Sequence, residues 1–322
     1  LTFARYEDSG DLRLLLVQSY RDGIVEGLDL SIVLEREVND PIELFLELGY
    51  DAIEALSSTD GVVRLPVEEL TLPVELRDHH IAAGTNYRAH ASEVGVDEHD
   101  DPYLFPKVVD PTPWNADVSV RQGLLDYEVE LAFVTLEPVA VGESPEFMGL
   151  LLSNDYSDRD TLLRNLDPDN VTSGRGFTTG KSFPGYLPVG NLFVIPRDYR
   201  SFAPDLELNL YVNYGLRQRD HVSGAIWDID ELFEQIWDRE GVTWEHRGAH
   251  YPLFDATDGV IEDRVLIMSG TPHGVVFNEV GVENKATGFF DFLFFGWGRS
   301  IPDHAIADYI TDARAAGIFL LT

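Results

Sequence analysis

Between residues 126 and 134 the chain reads Asp126-Tyr127-Glu128-Val129-Glu130-Leu131-Ala132-Phe133-Val134, which sets two glutamates into an otherwise apolar run. β-Branched and aromatic residues in alternation predict a strand from Tyr127 to Val134. On a strand, Glu128 and Glu130 leave one face, and Val129, Leu131 and Phe133 leave the other. Two residues of strand place the glutamates roughly 6–7 Å apart along the backbone, so their carboxylates can converge on one cation. Two like charges on an apolar strand repel, and a divalent metal offsets that repulsion. A Glu-x-Glu pair also describes a strand with one solvated face, so a third ligand matters. The apolar run from Phe147 to Leu152 ends in Ser153-Asn154-Asp155, which delivers a further carboxylate at a strand end. Three hard oxygen ligands in a chain without cysteine suit Mg²⁺, Mn²⁺ or Ca²⁺ rather than a structural zinc.

Such a site needs a folded scaffold. The chain has 322 residues, 44% of them hydrophobic and 11% aromatic, which is a globular composition for one large or two unequal domains. Without cysteine there is neither a disulfide framework nor a thiolate metal site. No run of apolar residues is long enough for a transmembrane helix, and no basic segment leads into an apolar one as in a secretory signal, so a cytoplasmic protein is expected. The net charge of −34 argues against nucleic acids and anionic membranes as partners. Lysine occurs only at positions 107, 181 and 285. An acidic, lysine-poor surface points to adaptation to high salt, where screening removes self-repulsion. The melting temperature is therefore expected to rise from dilute buffer to molar salt; equal stability in both overturns this reading.

Residues 1–76 read as a small leading domain and 77–322 as a second, larger one. In the first, Leu12 to Val17 is a strand, and Arg21-Asp22-Gly23 is a hairpin turn into Ile24-Val25-Glu26-Gly27. Asp40-Pro41 opens a helix, with Asp as cap and Pro at its first position; Ile42, Phe45, Leu46 and Ile53 keep its period although Gly49 interrupts it. Leu65-Pro66 to Leu72-Pro73 reads as an extended linker. Asn86 to Glu93 then reads as a loop entering a short helix. There, His90 and Glu93 share a face, where the carboxylate raises the basicity of the imidazole and makes a general base for water.

Gly84-Thr85-Asn86-Tyr87-Arg88-Ala89-His90-Ala91-Ser92-Glu93 resembles the Gly-x-Asn-Tyr-x-x-His-x-x-Glu segment of the fumarylacetoacetate hydrolase family. Further stretches are similar in the same order. These are Pro102 to Lys107, Tyr127 to Leu131, Asn154-Asp155-Tyr156-Ser157-Asp158-Arg159-Asp160, Gly180-Lys181-Ser182-Phe183, and Ser269-Gly270-Thr271-Pro272-His273-Gly274-Val275. The resemblance covers about residues 80–280. It implies an α+β, mostly β fold: a small N-terminal α/β domain and a catalytic domain of rolled, mixed β-sheets around a metal. It implies that Glu128, Glu130 and Asp155 hold that metal, that His90 with Glu93 activates water, and that Lys181 stabilises negative charge on the substrate. Arg88, Lys107, Arg159, Thr271 and His273 fall in the same motifs and are the candidate substrate contacts. A homodimer is also implied. Lys181 stands out independently, because a lysine kept where arginine is otherwise preferred suggests that a compact charge matters.

The chain departs from the family pattern in two places. Leu162 stands where the family often has a substrate-binding Gln, and Ala83 where larger members have a fourth acidic ligand. The connection from Leu162 to Thr179 is long and rich in Asn, Asp, Gly and Ser, and reads as a lid. Beyond it, Leu206 to Val212 and Leu216 to Gln218 form a hairpin, and Asp228 starts a helix with Ile229, Leu232, Phe233 and Ile236 on one face. Residues 239–260, with His246 and His250, read as a surface loop. The aromatic segment 289–298 reads as core or subunit interface, and 302–316 as a helix. The expected activity is metal-dependent hydrolysis of a carbon–carbon bond in a 2,4-dioxo acid. Decarboxylation, isomerisation or dehydration of a 2-oxo acid, or an acidic cation-binding domain without activity, are the alternatives.

Overall fold

Alternation and turn chemistry build the first elements of the computed structural model, which describes residues 1–58, 60–93, 101–120, 124–167, 170, 173–254, 259–276 and 304. Strands β1 (Thr2–Asp8), β2 (Asp11–Arg21) and β3 (Ile24–Asp29) form a meander. Asp22 and Gly23 turn β2 into β3 with positive φ at both, 52° and 75°, the hand that matches strand twist. Helix α1 (Pro41–Leu48) starts where Asp40 accepts the N–H groups of Ile42 and Glu43, both at 2.9 Å. Gly49, at φ 75°, ends it, and Ile53 lies on a separate helix, α2 (Tyr50–Glu54).

The stretch expected to be a linker is part of the sheet. Strand β4 (Val62–Pro66) pairs with β3, Leu70 bridges Tyr6, and the Thr71 N–H donates to the Arg5 carbonyl at 2.9 Å. Pro66 is tolerated because β4 is an edge strand and ends there.

Six further strands complete the main path: β5 (His79–Gly84), β6 (Tyr103–Val108), β7 (Val129–Thr135), β8 (Met148–Asn154), β9 (Phe193–Val194) and, late in the chain, β14 (Leu266–Met268). Their order in one 12-stranded sheet is β4–β3–β2–β1–β9–β8–β7–β14–β5–β6. Pairing of β1 with β9 joins the leading strands to those around Glu128. Only β5 and β14 run parallel along this path. The two short strands off the path, Thr112–Pro113 and Pro188–Val189, pair with each other, and Val189 pairs with Ser153 of β8. These two strands branch from β8 in the middle of the path and make the sheet mixed at a second place. Its core runs from Phe3 and Leu14 through Ala132 and Phe133 to Leu266 and Ile267.

Around this sheet lie α3 (Arg88–Glu93), α4 (Arg159–Asn165), α5 (Phe177–Lys181) and α6 (Ile229–Trp237). Asp228 and Glu231 close a reciprocal capping box at the start of α6. Outside the main sheet lie two hairpins, β10 (Glu207–Val212) with β11 (Gly215–His221), and β12 (Thr243–His246) with β13 (Ala249–Pro252), and two short pairs, Val139–Ala140 with Val260–Ile261 and Leu125–Asp126 with Ser157–Asp158. The second hairpin replaces the surface loop expected over 239–260: His246 is buried with its ring against Tyr251, while His250 is exposed. The segment 162–179 is not loop throughout, since α4 reaches Asn165 and α5 begins at Phe177. The aromatic segment 289–298 and, apart from His304, the helix expected over 302–316 lie outside the described residues. Among the described residues no helix is long and apolar enough to cross a membrane.

One buried group gives the fold a pH dependence. His80, fully buried on β5, accepts the Leu266 N–H through Nδ1. Burial, with His79 and Lys107 adding to it, lowers its pKa from 6.5 to about 3. The unfolded chain therefore binds this proton at a pH where the folded chain does not. The corresponding stability is present above pH 6.5 and lost as pH falls towards 3, amounting to roughly 5 kcal/mol. His80→Gln, which keeps an acceptor for Leu266, is expected to remove this component from the fall in urea-unfolding stability between pH 6.5 and pH 4.

Candidate active site

Strand register brings the three acidic residues together. In the antiparallel pair β7–β8, Ser153 lies opposite Glu130, and the Asp155 N–H donates to the Glu128 carbonyl at 2.8 Å. Directly opposed residues share a face, so Asp155 emerges beside Glu128 and Glu130. One carboxylate oxygen from each of the three lies within 4.8 Å of the others, and all three residues are buried. Strands β14 and β5 end at the same edge, since Met268 pairs with both Ala132 and Ala82. They deliver Gly270 and Thr271 on one side, and Gly84 and Thr85 on the other.

Asn86 and Gly270, beside these strand ends, are scaffold. The Asn86 side chain donates to the carbonyls of Ser269 and Trp227 at 2.8 and 3.0 Å, and accepts the Trp227 N–H at 2.8 Å. It thereby ties the loop before α3 to the end of β14 and the start of α6. Gly270 has φ +85°, and a Cβ there would come within 2.8 Å of the Asn86 Cβ, so glycine is required on both counts.

Four buried carboxylates face three buried cations. Arg159, at the start of α4, donates through Nε to Asp126 at 2.7 Å and also binds Glu128. Lys181, at the end of α5, donates to Glu128 at 2.6 Å and Asp155 at 2.7 Å. Lys107, on β6, binds Asp155 and donates to the Lys181 carbonyl at 2.7 Å. Glu130 accepts the Gly270 N–H at 2.9 Å and, among the described residues, pairs with no cation. Its pKa is raised well above the carboxylate range by burial and by the charges of Asp155 and Glu128. Burial also acts to raise Glu128, but Lys181 and Arg159 outweigh it and hold that carboxyl low, with a smaller contribution from His90. Three clustered carboxyl groups, one of them with no cation beside it among the described residues, fit a hard divalent cation that displaces the Glu130 proton, and Glu128, Glu130 and Asp155 are the residues that would hold one.

Beside this cluster lies a cleft of about 620 Å³, part of it open to solvent. Its polar wall is Glu128, Arg159, Lys181, His90, Thr85 and Thr271. His90, on α3, meets Glu93 through Nδ1 at 3.1 Å, and Glu93 is itself fixed by the Gly274 N–H at 2.9 and 3.0 Å. Thr271 donates to the Val129 carbonyl at 2.8 Å. The remaining wall is apolar, formed by Leu162, Leu163, Leu166, Phe177 and Tyr103.

The other sequence-derived candidates stand apart. Arg88 and His273 are exposed and outside the cleft wall. Lys107 is neither a surface cation nor in the wall; it is buried against Asp155 and supports it from behind. Sequence reasoning gave no role to Asp126, Gln218 or Thr85. Asp126 is fully buried and accepts the N–H groups of Tyr127 and Val276 besides Arg159. Gln218, on β11, accepts the Val129 N–H and donates to Thr271 Oγ1, both at 2.9 Å. Thr85 sits at φ 55° with a buried hydroxyl that has no partner among the described residues. Only the strain of a non-glycine residue at positive φ marks it, and a sequence does not display that.

The sequence model of the fumarylacetoacetate (FAA) hydrolase C-terminal region matches residues 79–244. The chain belongs to the fumarylacetoacetate hydrolase family. Members of this family are enzymes, hydrolases and isomerases among them, acting on small-molecule acids. An uncharacterized protein of Methanocaldococcus jannaschii is 29% identical over 161 residues, which are 48% of this chain and 63% of that protein. Among solved structures, an HpcE-like protein of Mycobacterium smegmatis has a TM-score of 0.61 at 23% identity, covering 86% of this chain and 89% of its own. The fumarylacetoacetate hydrolase of Exiguobacterium antarcticum has a TM-score of 0.53 at 23% identity, covering 85% and 87%. The 2-hydroxyhepta-2,4-diene-1,7-dioate isomerase of Mycobacterium marinum has 0.51 at 20%, covering 85% and 88%. Identities this low speak for the fold, so the reaction has to be argued from the site.

Proposed function

We propose that the protein is a hydrolase that cleaves a carbon–carbon bond in a 2,4-dioxo acid, with Mg²⁺ or Mn²⁺ bound by Glu128, Glu130 and Asp155. One observation carries this reading: the buried His90–Glu93 pair opens into the same cleft as Lys181 and Glu128. Held by these three residues, the cation would supply Lewis acidity towards the substrate. Glu93 holds the Nδ1 proton of His90, which leaves Nε2 to take a proton from water. Hydroxide adds to the carbonyl carbon farther from the carboxylate. The bond from that carbon to the neighbouring methylene then breaks, its electron pair passing into an enolate, and the proton held by His90 goes to the methylene carbon. The products are a carboxylic acid and a 2-oxo acid. An ammonium has three N–H donors, and Lys181 commits two of them to Glu128 and Asp155; the third stabilises the enolate.

Isomerisation or decarboxylation of a 2-oxo acid uses the same metal ligands but needs no base aimed at water, so the His90–Glu93 pair favours hydrolysis. The deciding assay follows loss of enol absorbance and product formation from acetylpyruvate and oxaloacetate, with Mg²⁺ or Mn²⁺ and then with EDTA. Acetate and pyruvate from acetylpyruvate, abolished by EDTA, are expected. Carbon dioxide from oxaloacetate alone moves the protein to decarboxylation. A cytoplasmic homodimer remains part of the same proposal.

A further inference from the structure

The geometry of the cleft points to a substrate whose far end is an uncharged, apolar chain, selected by the leucines of α4 and the residue after it. This inference rests on the proposed reaction for the head of the substrate and adds the chemistry of its tail. Leu162 and Leu166, four residues apart, and Leu163 beside them present an apolar surface to the cleft, faced by Phe177 and Tyr103. The two rings pack at 4.7 Å between centroids, so that wall is solid. A Cβ at Gly180 would come within 2.6 Å of the Leu162 Cβ, so α4 and α5 are in direct contact and fix the spacing of wall and polar cluster.

The cations decide the sign of the preference. The two in the cleft wall are committed, Arg159 to Asp126 and Glu128, and Lys181 to Glu128 and Asp155. The other arginine of α4, Arg164, is exposed and pairs with Asp160 at 2.9 Å. A second carboxylate on the substrate would lie against leucine side chains, where no further cation of the wall meets it among the described residues, and burying it there is unfavourable. A methylene chain in the same place leaves water for an apolar surface, about fourfold in affinity for each buried methylene.

The test uses 2-oxo acids that lack a 4-oxo group, so that binding is read without cleavage. Calorimetry on the full chain with Mg²⁺ compares 2-oxobutanoate, 2-oxohexanoate and 2-oxooctanoate with 2-oxoadipate, which has the six-carbon chain of 2-oxohexanoate and ends in a carboxylate. Affinity is expected to rise with chain length until the cleft is filled, and 2-oxoadipate to bind at least about tenfold more weakly than 2-oxohexanoate. Leu162→Gln is expected to flatten the chain-length dependence. Leu166→Arg, at a half-buried position where folding is less at risk, is expected to tighten 2-oxoadipate about tenfold. Equal or tighter binding of 2-oxoadipate by the unaltered chain, indifference to chain length, or no binding of any of the four overturns the inference. The acetylpyruvate assay reports separately on the reaction: the expected tail preference without turnover removes the hydrolase and leaves the tail assignment standing.

Discussion

Lys181→Met is expected to lower kcat for a 2,4-dioxo acid about 10³-fold and to destabilise the protein by about 3 kcal/mol. The two effects come from the same atom. Lys181 Nζ lies 2.6 Å from Glu128 and 2.7 Å from Asp155, and all three side chains are buried. Burial opposes the charge of Lys181, but Asp155 and Glu128 outweigh it and raise its pKa, so it is an ammonium throughout the working pH range. Methionine fills the space and removes the charge. Two buried carboxylates then lose a shared cation, which is the expensive way to break a buried ion pair. The enolate of the proposed reaction loses its third N–H at the same time. Chemical unfolding and steady-state kinetics read the two losses separately. The stability loss is expected to shrink when Mg²⁺ is added, because a cation bound by the same carboxylates replaces part of the missing charge. The kcat loss is expected to persist in saturating Mg²⁺. Full recovery of kcat by the metal would mean that Lys181 only neutralises its neighbours.

The parts of this site that were legible in the sequence are those set by local rules. The two-residue period of a strand puts Glu128 and Glu130 on one face, and one helical turn joins His90 to Glu93. Asp40-Pro41, Asp22-Gly23 and Asp228 with Glu231 each start or turn an element through atoms within three residues. What escaped depends on pairing between distant segments. Nothing local in Phe3 specifies Phe193 as its partner, or in His80 specifies Lys107. For that reason Lys107 reads from the sequence as a candidate substrate contact, although it is buried against Asp155, 48 residues away. The stretch around Pro66 reads as a linker because two prolines break the strand pattern, yet an edge strand accepts one. Gln218 lies on a hairpin strand whose neighbours are exposed, and only the folded chain shows its amide serving both Val129 and Thr271. The motifs mark where the scaffold and the site meet, as at Asn86 and Gly270, but not which residue of a motif reaches the cleft. Arg88 and His90 share a short helix, one exposed and one in the cleft wall.

Glu130→Gln is expected to separate stability from metal binding in the opposite direction to Lys181→Met. Glu130 is the carboxylate of the cluster that the three buried cations do not pair with, and among the described residues it accepts only the Gly270 N–H. Its raised pKa, caused by burial and by Asp155 and Glu128, has a defined sign in stability. Below the ordinary carboxylate pKa of 4.5 both the folded and unfolded chains carry this proton. As pH rises through that value the unfolded chain releases it and the folded chain does not, so stability is lost with rising pH. Glutamine is uncharged at every pH, nearly isosteric, and keeps an oxygen for Gly270. In the metal-free protein Glu130→Gln is therefore expected to raise the melting temperature at pH 7 to 8 and to flatten its decline with pH. Divalent-cation affinity is expected to fall at least about 100-fold, since one of three anionic oxygen ligands becomes neutral. Calorimetric titration with Mn²⁺ and thermal unfolding in EDTA measure the two quantities on one preparation. A destabilised variant would show that Glu130 has a cationic partner in the folded protein. Unchanged Mn²⁺ affinity would show that the strand pairing of Glu128 and Asp155 places those two on an ion and leaves Glu130 off it. A more stable protein that binds metal poorly is the expected combination, because the fold then tolerates a buried, unpaired Glu130 only for the sake of its ligand.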